Sequence, residues 1–355
     1  MGIEDQPAAV RDGEALNGKA VKAFLEKNVK GISGPIEISQ FPSGYSNLTY
    51  LINAGGRELV LRRPPFGKKA ATAHDMGREY KILSTLHPVF PYCPKPLAFT
   101  EDESILGAPF YVMERIKGII LRKTLPEGLV LTPSDAGALC ENMVDLLCRL
   151  HQLDYKALGL ESFGKPDGYV KRQVSGWARR FRDSRTPDVP DFEEIMGWLE
   201  ANQPADTTEP CIIHNDYKFD NLVLYPDNPL EIIGVLDWEM TTIGDPLMDL
   251  GSSLAYWVTL DDLDEMQMMT TQPTTIEGMM TRRQIVDLYG KKTGRDVENF
   301  DFYYMFGLFR LAVIAQQIYY RFYHGQTKDK RFAMLGFGVG ILENAAKRVM
   351  SGSGI

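Results

Sequence analysis

The sequence predicts an α+β protein with two lobes, an antiparallel-sheet lobe in residues 1–116 and a mainly helical lobe in residues 117–355. A chain of 355 residues is too long for one small hydrophobic core, which favours two lobes. Short strand-like segments fill the first third of the chain. Apolar residues at helical spacing follow from Lys117 on, interrupted by one island of three short apolar runs around residue 220.

The N-terminal lobe begins with a helix, because "GEALNGKAVKAFLEKNV" has apolar residues at helical spacing. Three strand-like segments follow, "PIEISQF", "LTYLINAG" and "RELVLRRP", and Ser-Gly and Gly-Gly turns separate them. This pattern predicts an antiparallel meander. A second helix is predicted in "AATAHDMGREYKILSTLHPV", where Pro88 ends it, before strand character returns in "PKPLAFTED" and "APFYVMERIKG".

The C-terminal lobe is predicted to be mostly helical. Its helical segments are "DAGALCENMVDLLCRLHQLD", "GWARRFRDS", "DFEEIMGWLEANQ" and several beyond residue 280, ending with "FAMLGFGVGILENAAKRVM". The island within this lobe has the runs "CII", "NLVLY" and "EIIGVLD", with polar residues where these short strands end. After the last of them, "WEMTTIGDP" is expected to pass straight into a helix that starts at Asp245.

Composition and charge exclude several classes of protein. The chain is 44% hydrophobic and 24% charged, and its net charge of −8 argues against nucleic-acid binding. We find no apolar stretch that could cross a membrane and an N-terminus unlike a signal peptide, so we expect a cytoplasmic monomer or homodimer without a membrane partner. The four cysteines form no CxxC pair, which predicts buried free thiols and no zinc site.

The stretch "HNDYKFDN" has the H-x-D-x-K-x-x-N spacing of a kinase catalytic loop. In such a loop Asp216 would orient the attacking hydroxyl, Lys218 would balance phosphate charge, and Asn221 would offer a neutral oxygen to magnesium. Asp237, at the end of "GVLD", would supply an anionic metal ligand. Taken alone, the motif fits a polar surface turn equally well.

The segment from His214 to Asp249 resembles the aminoglycoside phosphotransferase family, a branch of the protein-kinase-like fold. In particular it resembles the subfamily that occurs alone in bacteria and fused to acyl-CoA dehydrogenases in animals. The resemblance extends over nearly the whole chain through "GYSNLTYLI", "LVLRRPP", "REYKILSTL", "FYVMERIKG", "LHQLD" and "QIYYRFYHG". It implies a two-lobed kinase-like fold that uses ATP and Mg²⁺ and phosphorylates a small hydroxylated molecule.

The resemblance also implies roles for single residues. Asp216 would be the catalytic base, with Asn221 and Asp237 as the magnesium ligands, and His214 would support the loop. The loop over the phosphates would comprise Ser43, Gly44, Tyr45, Ser46 and Asn47.

Further residues of the N-terminal lobe would contribute to the nucleotide site. Backbone groups between Met113 and Ile116, with Glu114 among them, would meet adenine. Glu79 would be the helix acid that pairs with the basic residue of the third strand. That residue is Arg62, where kinases carry lysine; an arginine can still bridge phosphate and Glu79, but the exchange leaves the rate and nucleotide geometry open.

The acceptor is the least determined part of the prediction. The segment "YVKRQVSGWARRFRDSR" is rich in arginine, and Arg172, Trp177 and Arg180 would suit the phosphates and adenine of a hydroxyacyl-CoA ester. It could equally be a solvated helix face. Alternatives are an aminoglycoside or other antibiotic kinase, and a catalytically weak nucleotide-binding pseudokinase, which only Arg62 supports. A protein kinase is disfavoured because no Ala-Pro-Glu segment follows Asp237.

Overall fold

The computed structural model describes residues 4–41, 47–66, 75–327, 329–352 and 355. The chain forms two compact units, and it passes between them three times. Unit 1 comprises Met1–Ile120 and Asn221–Met240, and unit 2 comprises Leu121–Asp220 and Thr241–Ile355. The α+β class is confirmed, while the division into functional lobes at residues 116 and 117 stays a prediction.

The elements are as follows, in chain order. The first 120 residues contain α1 (Gly18–Asn28), β1 (Ile36–Gln40), β2 (Leu48–Ala54), β3 (Arg57–Arg63), α2 (Met76–Leu86), β4 (Pro96–Thr100), α3 (Glu103–Leu106) and β5 (Phe110–Glu114). Residues 121–220 contain α4 (Pro133–His151), α5 (Tyr169–Ser184), α6 (Glu193–Ala201) and β6 (Cys211–Ile213). Residues 221–240 contain β7 (Leu222–Tyr225) and β8 (Asn228–Val235). The remainder contains β9 (Thr242–Gly244), α7 (Pro246–Leu254), α8 (Asp264–Met268), α9 (Arg282–Thr293), α10 (Asp301–Tyr323) and α11 (Leu335–Met350).

Unit 1 is built on a five-stranded antiparallel sheet with the order β1-β2-β3-β5-β4, as the meander predicted. Side chains alternate between its faces. On β3, Leu59 and Leu61 join the apolar core with α1, which contributes Val21 and Leu25. Arg62 directly follows the core-facing Leu61, so its side chain points to the opposite face.

Two helices of unit 1 begin where a side chain caps them. The side chain of Asn17 accepts hydrogen bonds from the backbone of Lys19 and Ala20, so α1 starts at Gly18 rather than near Gly13 as predicted. Asp75 caps α2 in the same way, and residues 70–74 of the predicted helix lie outside the described residues. Glu79 belongs to the buried face of α2.

Unit 2 is mainly helical, and α10 packs against α5, α7 and α11. At the crossing of α7 and α10, a Cβ added to Gly307 would lie 2.1 Å from the carbonyl oxygen of Gly251. Only glycine permits so close an approach.

The structure corrects one expectation about the segment after Asp237. A short strand, β9, precedes α7 and pairs antiparallel with β6, with Ile212 opposite Ile243. The β-branched "TTI" is the local signal for it. Asp245 caps α7 as predicted, its side chain accepting from the backbone of Leu247 at 2.8 Å.

Two further findings concern the whole chain. The four cysteines are buried and free, which confirms the expectation of unpaired thiols. Across the described parts of the chain, no helix is both long and apolar enough to span a bilayer.

Candidate active site

The predicted catalytic loop leaves β6 in unit 2 and turns sharply at Asn215, whose φ of 66° lies in the left-handed region. Asp249, on α7, holds this turn. Its carboxylate accepts hydrogen bonds from the backbone N–H of His214 at 2.8 Å and of Asn215 at 2.6 Å. The loop backbone is thereby fixed by a carboxylate 34 positions further along the chain.

Asp249 is completely buried and belongs to a relay of polar side chains. His151 Nε2 lies 3.1 Å from its Oδ2, and the hydroxyl of Tyr289 lies 2.7 Å from His151 Nδ1. Burial by itself would raise the pKa of Asp249, but the hydrogen bond and charge of His151 outweigh burial, so the pKa lies below its usual value. An ionised Asp249 can only accept at this contact, so His151 Nε2 carries a proton and donates to it.

Asp216 and Lys218 lie together in the same loop. Lys218 Nζ is 2.8 and 2.9 Å from the two carboxylate oxygens of Asp216, and 4.6 Å from the ring centroid of Tyr256. Burial would lower the pKa of Lys218, but Tyr256 and the two carboxylates of Asp216 and Asp220 outweigh it, so the pKa is raised and the ammonium stays charged. The backbone N–H of Asp216 donates to His214 Nδ1 at 3.2 Å. His214 thus supports the loop as expected.

Asp220 is a residue whose environment the sequence did not reveal. Burial raises the pKa of its carboxyl, only partly opposed by Lys218 at 3.9 Å. Its Oδ1 is buried without a hydrogen-bond partner in the described chain.

The two predicted metal ligands lie in unit 1, at one end of the β7–β8 hairpin. Leu222 is opposite Val235 in this hairpin, and the N–H of Leu236 donates to the carbonyl of Asn221 at 2.8 Å. Asn221 directly precedes β7 and Asp237 follows Leu236, so both lie at the open end of the hairpin. Asp237 has a φ of 68°, which is uncommon for a residue with a side chain.

Arg62 forms ion pairs with three carboxylates of unit 1. Its guanidinium lies 2.7 Å from Glu79, 3.0 Å from Asp237 and 3.3 Å from Glu239. Burial would lower the pKa of Arg62, but Glu79 and the other acids outweigh it, so Arg62 is held firmly protonated. The family resemblance implied the pairing with Glu79. It did not predict the contact between Arg62 and Glu239.

Asn47, the last residue of the predicted phosphate loop, also contacts this cluster. Its side-chain amide donates to Glu239 at 2.6 Å. The other predicted loop residues lie outside the described parts of the chain: Ser43, Gly44, Tyr45 and Ser46.

The donor set of unit 1 suits magnesium better than a metal held by protein ligands alone. Asn221 and Asp237 offer hard oxygen atoms, one neutral and one anionic, and Glu239 lies beside the same arginine as Asp237. Among the described residues, no three or more histidines, cysteines or acids are grouped to hold a metal. Mg²⁺ commonly binds one or two carboxylates and completes its shell with phosphate and water, so this set fits it.

The predicted adenine-binding residues lie at the end of β5. Met113 and Glu114 pair with Val60 and Leu59 of β3. The backbone N–H of Glu114 donates to the carbonyl of Lys95 at 2.9 Å, so this N–H already has a hydrogen-bond acceptor within the protein.

The three predicted substrate residues lie on α5 in unit 2, in different surroundings. Arg172 donates to the carbonyls of Asp167 and Lys165, which ties it to the loop before the helix. Trp177 is only 8% exposed, on the packed face of α5, and the exposed Arg180 lies 4.8 Å from its ring centroid. The structure thus brings Trp177 and Arg180 together and holds Arg172 elsewhere.

Comparison with known sequences identifies the family. The model of the phosphotransferase enzyme family, APH, matches residues 37–278. Acyl-CoA dehydrogenase family member 10 from Mus musculus is 37% identical over 312 residues, which cover 86% of this chain and 29% of that protein. The chain thus spans less than a third of the length of this curated relative.

Comparison with solved structures identifies the fold. A candidate aminoglycoside phosphotransferase from Ralstonia eutropha JMP134 has a TM-score of 0.78 and 28% identity, covering 95% of this chain and 99% of that one. Choline kinase from Cryptosporidium parvum Iowa II has a TM-score of 0.62 at 12% identity, covering 94% and 97%. The aminoglycoside phosphotransferase APH(4)-Ia, solved with ADP and hygromycin B, has a TM-score of 0.58 at 15% identity, covering 95% and 100%.

These likenesses confirm the kinase-like fold that the sequence predicted. The family match covers both the catalytic-loop motif and Arg62, Glu79 and Asp237. The chain belongs to the phosphotransferase enzyme family, APH, as its motifs indicated.

Proposed function

We propose that the protein transfers the γ-phosphate of ATP to a hydroxyl group of a small molecule, with Asp216 as the residue that orients this hydroxyl. The observation that carries the proposal is the loop geometry: Asp216 follows a turn whose backbone is fixed by the buried Asp249. Family membership and the kinase-like fold support phosphotransfer, and an aminoglycoside phosphotransferase of the same fold was solved with ADP.

In the proposed reaction Asp216 accepts the hydroxyl proton as the oxygen–phosphorus bond forms. The bond between the γ-phosphorus and the bridging oxygen breaks, and ADP leaves. Lys218, which is held protonated beside Asp216, would offset the negative charge that the phosphoryl group brings. Preorganised charges of this kind cost no rearrangement at the moment of reaction.

The residues of unit 1 would hold the nucleotide. Asn221 and Asp237 would hold Mg²⁺, which when bound neutralises phosphate charge. Arg62 would contact the phosphates, and its two-pronged guanidinium would let it keep Glu79 while doing so. Asn47 would join the phosphate loop, and Met113, Glu114 and Ile116 would contribute to the adenine site.

For the acceptor we propose a hydroxyacyl-CoA-type molecule. The supporting observations are the basic surface of α5, with Trp177 beside Arg180, and the occurrence of this kinase-like region in relatives named as acyl-CoA dehydrogenases. An aminoglycoside is the second candidate, supported by the description of the Ralstonia eutropha protein. A polycation is less suited to a basic helix, which favours the CoA ester.

The test is ADP release with Mg-ATP across hydroxyacyl-CoA esters, aminoglycosides, choline and simple sugars. We expect Asp216→Asn to lower turnover by about 10²- to 10⁴-fold, because removing a general base has effects of this size. Binding of a non-hydrolysable ATP analogue, measured by calorimetry, should stay unchanged. The exposed Asp261 provides the matched control, since Asp261→Asn should keep the wild-type rate.

Retention of the full rate by Asp216→Asn would refute the role of this residue. A wild-type protein that releases no ADP with any acceptor, yet binds nucleotide, would instead favour the pseudokinase.

A further inference from the structure

An arginine on α10 that the sequence did not single out approaches both the catalytic loop and Trp177. Arg310 Nη2 donates to the carbonyl of Asn215, the residue before Asp216, at 2.7 Å. Its guanidinium carbon lies 5.3 Å from the ring centroid of Trp177. Arg310 therefore links the face of α5 that carries Trp177 to the loop proposed to orient the acceptor.

The guanidinium groups of two arginines lie near the ring of Trp177. Arg180 lies 4.8 Å and Arg310 lies 5.3 Å from the same ring. Burial lowers the pKa of Arg180, and the charges of Arg179 and Arg310 lower it further. The charges of Arg310 and Arg180 repel each other, so this arrangement costs free energy unless an anion joins it.

Neither Arg180 nor Arg310 has an ion-pair partner among the residues that the structure describes. Arg310 is only 5% exposed, and a buried charge is ordinarily paired. The contrast is Arg282, which is also buried but is met by both carboxylate oxygens of Asp262, at 2.6 and 2.7 Å. What is missing around Arg310 is a negative charge.

We propose that Arg310 and Arg180 form an oxyanion subsite beside the catalytic loop and thereby select acceptors that carry a phosphate or carboxylate group. Arginine suits this role because its planar donors match both anions bidentately. Because Arg180 is exposed and its charge repels that of Arg310, an anion that binds Arg180 from solvent is also attracted by Arg310. The subsite rests on the proposed function, since it places the anion on the acceptor.

The test measures binding of anionic probes to the full chain by calorimetry, without ATP and therefore without turnover. The probes are coenzyme A, which carries phosphates, 4-hydroxybutyrate, which carries a carboxylate, and butane-1,4-diol as the neutral match of the latter. We expect wild type to bind at least one anionic probe. Arg180→Gln should weaken that binding by about tenfold and Arg310→Gln by at least as much, since each removes a charged donor.

Arg179→Gln is the matched control, because Arg179 is an exposed arginine of the same helix with no described contact to Trp177. We expect it to change binding by less than about twofold, as is usual for a surface charge. If Arg180→Gln and Arg310→Gln weaken binding of coenzyme A only, the recognised group is a phosphate. If they weaken binding of 4-hydroxybutyrate only, it is a carboxylate.

The proposal is overturned if wild type binds neither anionic probe, or if both variants bind them as wild type does. If Arg310→Gln does not fold, as judged by circular dichroism, Arg180→Gln decides, because an exposed residue can be changed without disturbing the fold. Anion binding through Arg180 in a protein that releases no ADP would keep the subsite and reject phosphotransfer. Turnover of neutral acceptors at a rate that neither arginine variant changes would keep phosphotransfer and reject the subsite.

Discussion

Arg62 balances the charge of the acidic cluster in unit 1. Its guanidinium forms ion pairs with Glu79, Asp237 and Glu239. Glu79 is 2% exposed, so its carboxylate depends on this partner. A lysine would offer a single ammonium in place of a fork of donors, which explains how arginine can serve three acids at once.

We therefore expect Arg62→Met to lower the free energy of unfolding of unit 1 by about 3–5 kcal/mol, because it leaves Glu79 buried without its counter-charge. Urea denaturation without nucleotide measures this. Arg57→Met on the same strand is the control, since Arg57 pairs with Glu114 at 3.6 Å where both side chains are exposed. It should cost less than about 1 kcal/mol. Equal losses for the two variants would contradict the assigned importance of the buried pair.

Sequence reasoning located the residues of this cluster unevenly. The family resemblance pointed to Arg62 and Glu79 as a pair, and in the structure their side chains lie 2.7 Å apart. Glu239 received no role from the sequence. Its contacts with Arg62 and Asn47 join positions up to 192 residues apart, and no local periodicity encodes them.

At the scale of elements, the position of the proposed catalytic loop depends on the packing of α7 against α10. α7 supplies Asp249, whose carboxylate fixes the loop, and it can reach its place only because two glycines lie at the crossing. A Cβ at Gly251 would lie 2.2 Å from the carbonyl oxygen of Tyr303, and one at Gly307 would lie 2.1 Å from that of Gly251.

We expect Gly307→Ala to destabilise unit 2 by about 1–3 kcal/mol, since an added methyl group overpacks a contact that only a backbone shift can relieve. Thermal unfolding followed by circular dichroism measures the change. Gly197→Ala on the exposed side of α6 meets no atom within 4 Å and should stabilise by about 0.5–1 kcal/mol through helix propensity. A neutral Gly307→Ala would mean that the two helices can separate at no cost.

At the scale of the whole molecule, the four buried thiols show whether the interior of each unit is shielded from solvent. Cys93 lies in unit 1 and the other three lie in unit 2, and all four are buried. Burial raises the pKa of Cys93 to about 12 and that of Cys140 to about 11. A thiol with so high a pKa is almost entirely protonated at neutral pH and is a poor nucleophile.

We expect a chromogenic disulfide reagent to label none of the four cysteines in the native protein at pH 7 and all four in guanidinium. The rate of labelling in native buffer, followed by absorbance, is the measurement. Rapid labelling of a single thiol would show that its unit opens locally at low cost. Cytoplasmic location and a monomeric or homodimeric state remain predictions of the sequence.

The sequence by itself determined most of the elements and located the motif that we propose as the catalytic loop. Short strand-like segments separated by turn signals predicted the strands of the antiparallel sheet, and helical spacing predicted most helices. The spacing of Asp216, Lys218 and Asn221 predicted the loop. These signals are local, because side-chain direction along a strand or helix repeats every few residues. Caps such as Asn17 were overlooked, although they too are local.

Only the tertiary structure decided which distant side chains support the loop. His151, Tyr289 and Asp249 form one relay, and Arg310 joins Trp177 to Asn215, although each comes from a different element. Contacts of this kind arise when helices pack, since burial forces each polar group to find a partner wherever the fold brings one near. A single sequence carries no periodic signal for such pairs, so the residues proposed to select the acceptor emerged only once α5 and α10 were packed together.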